Sequence, residues 1–326
     1  MAATELTFCV VATAKRELLS RCLDAIARER RALPFATETL VLDNCSRDGS
    51  AELARGHPAV DETIELARRT GKGANDSQLL ARASSRYALL LNEDSELCTG
   101  ATMDLWRALE ERPRAALAGA RLLAPDGRPQ PCAWRFPSPA SALAFALGLQ
   151  GALVVQSRGE AIRAVDWCQS SALLVRREAA AGVGYLDPDF FVYSDEVDFA
   201  RRLRDAGWVS VYVPGARAVH HEQLSSDPVG GRARIVELAR NRDLYMRKHH
   251  SPAAARAVRW LTALAYAERA LAALVLPGHS ARRYLAHVRA TVRPGRGEGL
   301  REAAERLNAS LQEDAAARDA AARAGG

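Results

Sequence analysis

Three short, almost uninterrupted apolar runs constrain this chain more than any other feature: LTFCVVA (6–12), ETLVLDN (38–44) and RYALLLNED (86–94). Each is too short for a buried helix and reads as a strand covered on both faces. Between them lie two segments with helical spacing, LLSRCLDAIARERRAL (18–33) and NDSQLLARASS (75–85). A turn-led helix, SRDGSAELARG (46–56), and a shorter strand, DETIELA (61–67), complete the pattern. This alternation predicts an α/β fold, with a mostly parallel central sheet flanked by helices.

In such a sheet, ligands sit at the carboxyl ends of the strands. Polar clusters fall at those ends: ATAKRE (12–17), DNCSRDGS (43–50) and NEDSE (92–96). Any one of them is an ordinary turn, and DNCSRDGS has the make-up of an Asx-bonded one. At successive strand ends they describe a crevice lined with acids.

Composition narrows the partners. The chain has 326 residues, 48% of them apolar and 26% charged, which are the proportions of a soluble globular protein. A net charge of +6 is spread as arginine and thickens after residue 230. That suits an anionic small ligand or an acidic membrane surface. Nucleic acid is not expected, because no basic run is interleaved with aromatics. Six cysteines at 9, 22, 45, 98, 132 and 168 form no C-x-x-C pair and read as thiols of a reducing compartment. MAATELTFCVVATAKRE resembles a first strand rather than a signal peptide, and no apolar run is long enough to span a bilayer. The expected location is cytoplasmic, with peripheral contact at the inner face of the cell membrane as an option.

The second half changes style. RPRAALAGARLLAPDGRPQP (112–131) predicts a strand and a turn at Pro125, Asp126 and Gly127. Residues 132–164 are irregular with a helical patch, and VDWCQSSALLVRRE (165–178) is strand-like. VSVYVPGARAVHH (209–221) predicts two short strands, and RARIVELARNRDLYMRKHH (232–250) an amphipathic helix. Within FFVYSDEVDFARRLRDAGW (190–208), Asp195, Glu196 and Asp198 crowd into four positions. One account is structural: Ser194 as N-cap, acids complementing the helix dipole, Asp198 pairing with Arg202, and Gly207 ending the helix.

Four segments, in order, carry a resemblance over roughly residues 5–250. VLDNCSRDGS resembles a nucleotide-side VDNxSxDGS motif, and YALLLNEDSEL an LLLNPDxE segment with a metal-binding acid. The stretch from VDWCQSS to LRDAGW resembles an acceptor and catalytic segment built on an acid pair followed by D-hydrophobic-x-x-R. VPGARAVHHEQLSS resembles a strand ending in a histidine and a later serine. Together they resemble a family 2 glycosyltransferase of GT-A fold, in its rhamnosyltransferase-like branch. The resemblance implies metal-dependent, inverting transfer from a nucleoside-diphosphate sugar, dTDP- or UDP-linked, to a glycan, lipid-linked or small-molecule acceptor.

It also assigns residues. Glu196 takes the register of the catalytic base, with Asp195 the alternative, because the usual Glu–Asp order is inverted here. Asp94 and His220 fall where a divalent cation, Mg2+ or Mn2+, would be held. Thr13, Glu17, Asp43, Asn44, Lys72, Asn75 and Glu93 fall on the donor side, with Lys72 meeting either phosphate or solvent. Trp167, Asp198 and Arg202 fall on the acceptor side, where Trp167 either stacks on a sugar or packs in the core.

Two other classes compete. A nucleotidyltransferase needs a glycine-rich phosphate loop after the first strand, and ATAKRE has no glycine. A catalytically inactive relative, serving as a binding or scaffold protein, is favoured only by the inverted acid pair. The expected organisation is a GT-A domain at 1–250 and a helical tail at 251–326. Residues 253–292 read as two helices broken at LPGHS, the first carrying arginines and Trp260 on an amphipathic pattern. It is suited to a membrane interface, to packing on the catalytic domain or to a homodimer. Residues 298–326 read as a solvated helix that frays, or as disorder.

Overall fold

In the computed structural model, residues 4–221 and 231–324 are described. The opening alternation is present. Strands β1 (Leu6–Ala12), β2 (Thr37–Asp43), β3 (Glu62–Glu65) and β4 (Tyr87–Asn92) enclose helices α1 (Arg16–Ala32), α2 (Ser50–Gly56) and α3 (Lys72–Arg82). All seven residues of β1 are buried, as a strand flanked by parallel neighbours and covered on both faces requires. Helix α1 turns Leu19, Cys22, Leu23 and Ile26 onto the sheet, one apolar stripe at helical spacing.

Beyond β4 the pattern becomes mixed. It continues through β5 (Ser95–Leu97), α4 (Ala101–Glu110), β6 (Ala115–Leu123), β7 (Ala133–Trp134), α5 (Pro139–Ala146) and α6 (Gln150–Leu153). Then come β8 (Arg163–Val165), β9 (Trp167–Cys168), β10 (Ala172–Arg176), α7 (Arg177–Gly182), α8 (Asp195–Asp205) and β11 (Val209–His220). The nine-stranded sheet runs β3-β2-β1-β4-β10-β6-β11-β5, with β8 on β11. The first four strands are parallel, whereas β10 is antiparallel to both β4 and β6. β7 and β9 form a separate pair.

Several expectations are corrected. Residues 209–221 hold one long strand, not two, because a register shift between Val213 and Arg217 absorbs the Pro-Gly pair without ending it. Ser194 precedes α8 but makes no side-chain cap; it is left-handed, with φ 63°. Helix α4 and β5 add to the expected elements. The start of α4 is capped from elsewhere: the Glu29 carboxylate accepts the Gly100 and Thr102 N–H groups at 2.8 Å each.

The tail forms α9 (Gly231–His249), α10 (Pro252–Ala272), α11 (Ala281–Val292) and α12 (Leu300–Ala324). Helix α12 is not simply solvated. Ala304 and Asn308 are buried, and Asn308 reaches the loop after β3: its Oδ1 accepts the Arg69 N–H at 2.7 Å and its Nδ2 donates to the Arg69 carbonyl at 2.9 Å. All six cysteines are free.

Helix α8 is fastened to α9 by one buried carboxylate. Asp198, with 0% of its surface exposed, meets Arg202 Nε at 2.7 Å, Lys248 Nζ at 2.8 Å and His249 Nε2 at 2.6 Å. Removing one partner of a buried ion cluster leaves the others uncompensated, at a cost of about 3–5 kcal/mol. Asp198→Ala is therefore expected to lose stability of that order in urea unfolding, and Asp198→Asn, which keeps an acceptor, distinctly less.

Candidate active site

The carboxyl ends of β1, β2 and β4 open onto one crevice, as the strand order requires. After β1, the Thr13 N–H donates to Glu93 Oε2 at 2.7 Å. After β2, Asp43 is buried; one carboxylate oxygen accepts the Ser46 N–H at 2.9 Å and the other has no partner. Asn75, also buried, accepts the Thr70 hydroxyl and leaves its amide nitrogen unpartnered. Orphaned polar atoms at a strand-end crevice point to a ligand that satisfies them.

After β4, Glu93 and Asp94 are both buried. Asp94 Oδ1 lies 3.4 Å from His220 Nε2, and Oδ2 lies 3.8 Å from Lys15 Nζ. Burial raises the Asp94 carboxyl, but His220 and Lys15 outweigh it and hold the group below its ordinary value. The antiparallel pairing of β5 with β11 brings His220 here, with His220 opposite Ser95. Its ring is held by Ser171 Oγ at 3.2 Å and Gln130 Oε1 at 3.3 Å. Among the described residues no group of three or more metal-ligating side chains converges. A carboxylate and an imidazole side by side suit a divalent ion that completes its shell with substrate oxygens.

A second cluster forms around Lys72. Its ammonium lies 2.5 Å from Asp76 Oδ2 and 3.0 Å from Ser170 Oγ. Burial would lower Lys72, yet Asp76 and Asp195 together raise it above its ordinary value. Lys72 is thus an ion-paired group of the site, not a solvated loop residue. Asp195 has 0% exposure and neither oxygen finds a donor; burial and then the neighbouring Glu196 push its carboxyl well above the usual range. Glu196 is half-buried, the more open of the pair.

The glycines of TGKG allow this approach. A Cβ on Gly71 would sit 2.6 Å from the Phe191 carbonyl, and one on Gly73 3.2 Å from the Asp195 Cβ. The backbone is strained just before the acid pair, with Tyr193 at φ 66° and Ser194 at φ 63°. Ala14 and Cys45, after β1 and β2, are also left-handed. Strain of this sort collects at functional sites.

Other expected residues lie differently. Asn44 commits its amide to the Thr70 peptide, accepting the N–H at 2.8 Å and donating to the carbonyl at 2.9 Å. Glu17 is exposed in the first turn of α1. Trp167 stacks on Trp134 at 4.6 Å and donates to the Arg135 carbonyl. Asp198 is closed off in the α8–α9 clasp, while Arg202 also donates to the Val183 and Tyr185 carbonyls. Both face packing partners rather than an open acceptor surface. The serine end of the last resembling segment, 222–226, lies outside the described residues.

Sequence reasoning missed Lys15, Asp76, Gln130, Ser170 and Ser171. The two serines matter most, because adjacent residues reach both clusters: Ser170 meets Lys72 and Ser171 meets His220. The QSS of VDWCQSS, placed between two short strands, was the available signal.

Comparison with known proteins agrees with this arrangement. The family Glycosyl transferase family 2 matches residues 7–131. N-acetylglucosaminyl-diphospho-decaprenol L-rhamnosyltransferase of Mycobacterium tuberculosis is 30% identical, over 60% of this chain and 71% of that protein. Rhamnosyltransferase WbbL of Escherichia coli K12 is 32% identical over 24% of this chain and 30% of its own. Among solved structures, the mannosyltransferase PcManGT of Pyrobaculum calidifontis, in complex with GDP-Man and Mn2+, superposes with TM-score 0.56 at 16% identity, covering 90% of this chain and 86% of that one. GalNAc-T7, solved with UDP, GalNAc and Mn2+, gives TM-score 0.54 at 13% identity, over 73% of this chain and 47% of that one. The chain is a glycosyltransferase with the GT-A fold. It belongs to family 2, in the rhamnosyltransferase-like branch.

Two outcomes follow from the geometry. Burial pushes the Glu93 carboxyl from 4.5 up to about 7, against the pull of the Thr13 N–H and Lys15. A raised folded value favours the folded state at low pH, and that advantage is lost as pH rises from 4.5 to about 7. The loss is about 3 kcal/mol. In chelator, Glu93→Gln should show a flatter stability–pH curve by urea unfolding and exceed the native protein above neutrality. Separately, Asn308→Ala should speed hydrogen exchange at the Arg69 amide while the amides of β1 keep their protection.

Proposed function

We propose that the protein is a metal-dependent inverting glycosyltransferase. It moves a sugar, rhamnose by its branch, from a dTDP- or UDP-linked donor to a hydroxyl of a lipid-linked acceptor. The observation that carries this reading is the division of acids into two clusters joined by Ser170 and Ser171. An inverting displacement needs one acid beside the acceptor and another beside the leaving diphosphate, and one carboxylate cannot serve both.

Glu196 is the base. The acceptor hydroxyl attacks the anomeric carbon as its proton passes to Glu196, and the bond from that carbon to the diphosphate oxygen breaks. Asp195 lies buried behind it without an open face, so it positions Glu196. Asp43, Thr13 and Asn75 line the nucleoside side. Asp94 and His220 would hold a divalent ion, whose charge would offset that developing on the diphosphate. Lys15 adds positive charge at the same place. Residues 1–250 carry the chemistry, and residues 251–326 are accessory. The acceptor class follows the Mycobacterium tuberculosis relative, whose name specifies a decaprenol diphosphate sugar.

Glu196→Gln is expected to lower kcat by about 10²–10⁴-fold while nucleotide affinity is kept. Thermal melts with UDP, dTDP, GDP and CDP, each with Mn2+, Mg2+ or chelator, identify the donor base. A ligand at a hundred times its Kd adds about 2.7 kcal/mol. Asp94→Asn should abolish the metal-dependent part of that shift. Full transfer by Glu196→Gln would remove it as the base. A product with retained anomeric configuration would overturn the inverting assignment. No nucleotide shift in a cooperatively melting protein would favour an inactive relative, the reading prompted by the inverted acid pair.

A further inference from the structure

Exposed apolar side chains are not scattered over this molecule. Among the described residues, every exposed large hydrophobic lies within 143–162 or 260–285. The first range is α5, α6 and the loop after them; the second is α10, the start of α11 and their connection. These two stretches are distant in sequence but in contact. The Phe145 ring meets Tyr266 edge-on at 5.3 Å, and Arg269 stacks over that ring at 4.1 Å and donates to the Phe145 carbonyl at 3.1 Å. Tyr266 in turn stacks on His287 of α11 at 4.3 Å. The helices therefore form one packed unit whose outward surface is apolar.

The exposure has helical order. On α10, Trp260, Leu264 and Leu271 recur on one face and Leu274 follows just past its end, with Trp260 60% and Leu274 72% exposed. Leu143 of α5 and Leu147 at its C-terminal cap are four apart and exposed, while Ala142 and Ala144 are buried. Folded monomers rarely leave so much contiguous apolar surface uncovered without a partner. Charge selects the partner. Residues 251–297 hold eight arginines and one acid, Glu268. Arg256 lies one turn before Trp260, and on α11 Arg282 and Arg289 flank Leu285, all of them exposed. An apolar face rimmed by arginines matches an anionic bilayer, with side chains in the acyl boundary and guanidinium groups among phosphates. No helix among the described residues is long and apolar enough to cross a membrane, so contact is in the plane of the interface.

We propose that α5, α6, α10 and α11 form a docking surface for an anionic lipid bilayer. The surface is tied to the candidate active site by a short path. Gln130 donates to the His220 carbonyl and also meets its ring, and α5 begins nine residues later. That separation spans at most about 32 Å of extended chain. The purpose of the surface rests on the reading of a lipid-linked acceptor, for docking would hold the crevice near the bilayer; its existence does not.

The test is cosedimentation of the full-length protein with phosphatidylcholine vesicles, with and without phosphatidylglycerol. Binding is expected to the anionic vesicles only and to weaken with salt. Leu271→Glu should reduce partitioning at least about tenfold, and Arg282→Gln or Arg289→Gln about fivefold each. All three positions are on the surface, so melting temperature and nucleotide-induced shifts should match the native protein. A native protein that stays in the supernatant overturns the proposal, as does equal binding to neutral vesicles. So does a dimer by light scattering that Leu271→Glu dissociates, which would assign the face to a second copy. Nucleotide shifts read the donor site separately, so either reading can fail alone.

Discussion

The placement of one ammonium among three acids governs how this site is built. Lys72 stands at the first turn of α3, with Asp76 one turn on and Asp195 and Glu196 approaching from α8. Buried carboxylates without a counter-charge would be protonated or would push the helices apart. Lys72 pairs directly with Asp76 on α3, while Asp195 on α8 packs beside them with no donor and with its carboxyl held well above the usual range. The surrounding features serve that contact. Gly71 and Gly73 have no side chain because the 187–195 segment occupies the space, and Lys72 N–H donates to the Phe191 carbonyl at 2.7 Å. The left-handed pair Tyr193–Ser194 turns the chain so that Asp195 goes inward and Glu196 remains at the rim.

From that contact, order spreads in two directions. Ser170 and Ser171 carry it across the sheet to His220 and Asp94, so the two acid clusters share one short loop between β9 and β10. Asn44 and Asn308 carry it along the ends of β2 and β3, gripping the consecutive residues Thr70 and Arg69. Helix α12 thereby braces the loop after β3 at one point and, through Arg301 to the Asp189 carbonyl, the approach to α8 at another. One helix thus makes hydrogen bonds on both sides of the crevice. This suits a reaction whose donor and acceptor must be held in line.

Much of this was legible. The buried strands and the polar crevice at their ends follow from local pattern, which needs no knowledge of distant partners; the separate jobs of Asp94 and the Asp195–Glu196 pair are what the family resemblance implies. The pairing of Asp198 with Arg202 was visible at helical spacing, but not that Lys248 and His249 close over it from α9. A strand-end asparagine has the look of a ligand contact, but only the fold shows that the Asn44 amide is bonded to Thr70, 26 positions on. Asp76 went unnoticed within a helix, where an acid four residues after a lysine is ordinary on a surface. Only burial makes it part of the site.

The sequence by itself determined the layered fold and the residue types at each strand end, because period, turn chemistry and charge are local properties, and its ordered motifs carry the family resemblance. Tertiary structure alone decided which acid is sealed and which is open, that Ser170 and Ser171 link the two clusters, and that α12 grips a loop 239 positions away. It also decided that apolar faces from two separate stretches meet on one surface. The reason is the same in each case. Burial, desolvation and contact belong to pairs of residues brought together by packing, and no single stretch of chain contains both members of the pair.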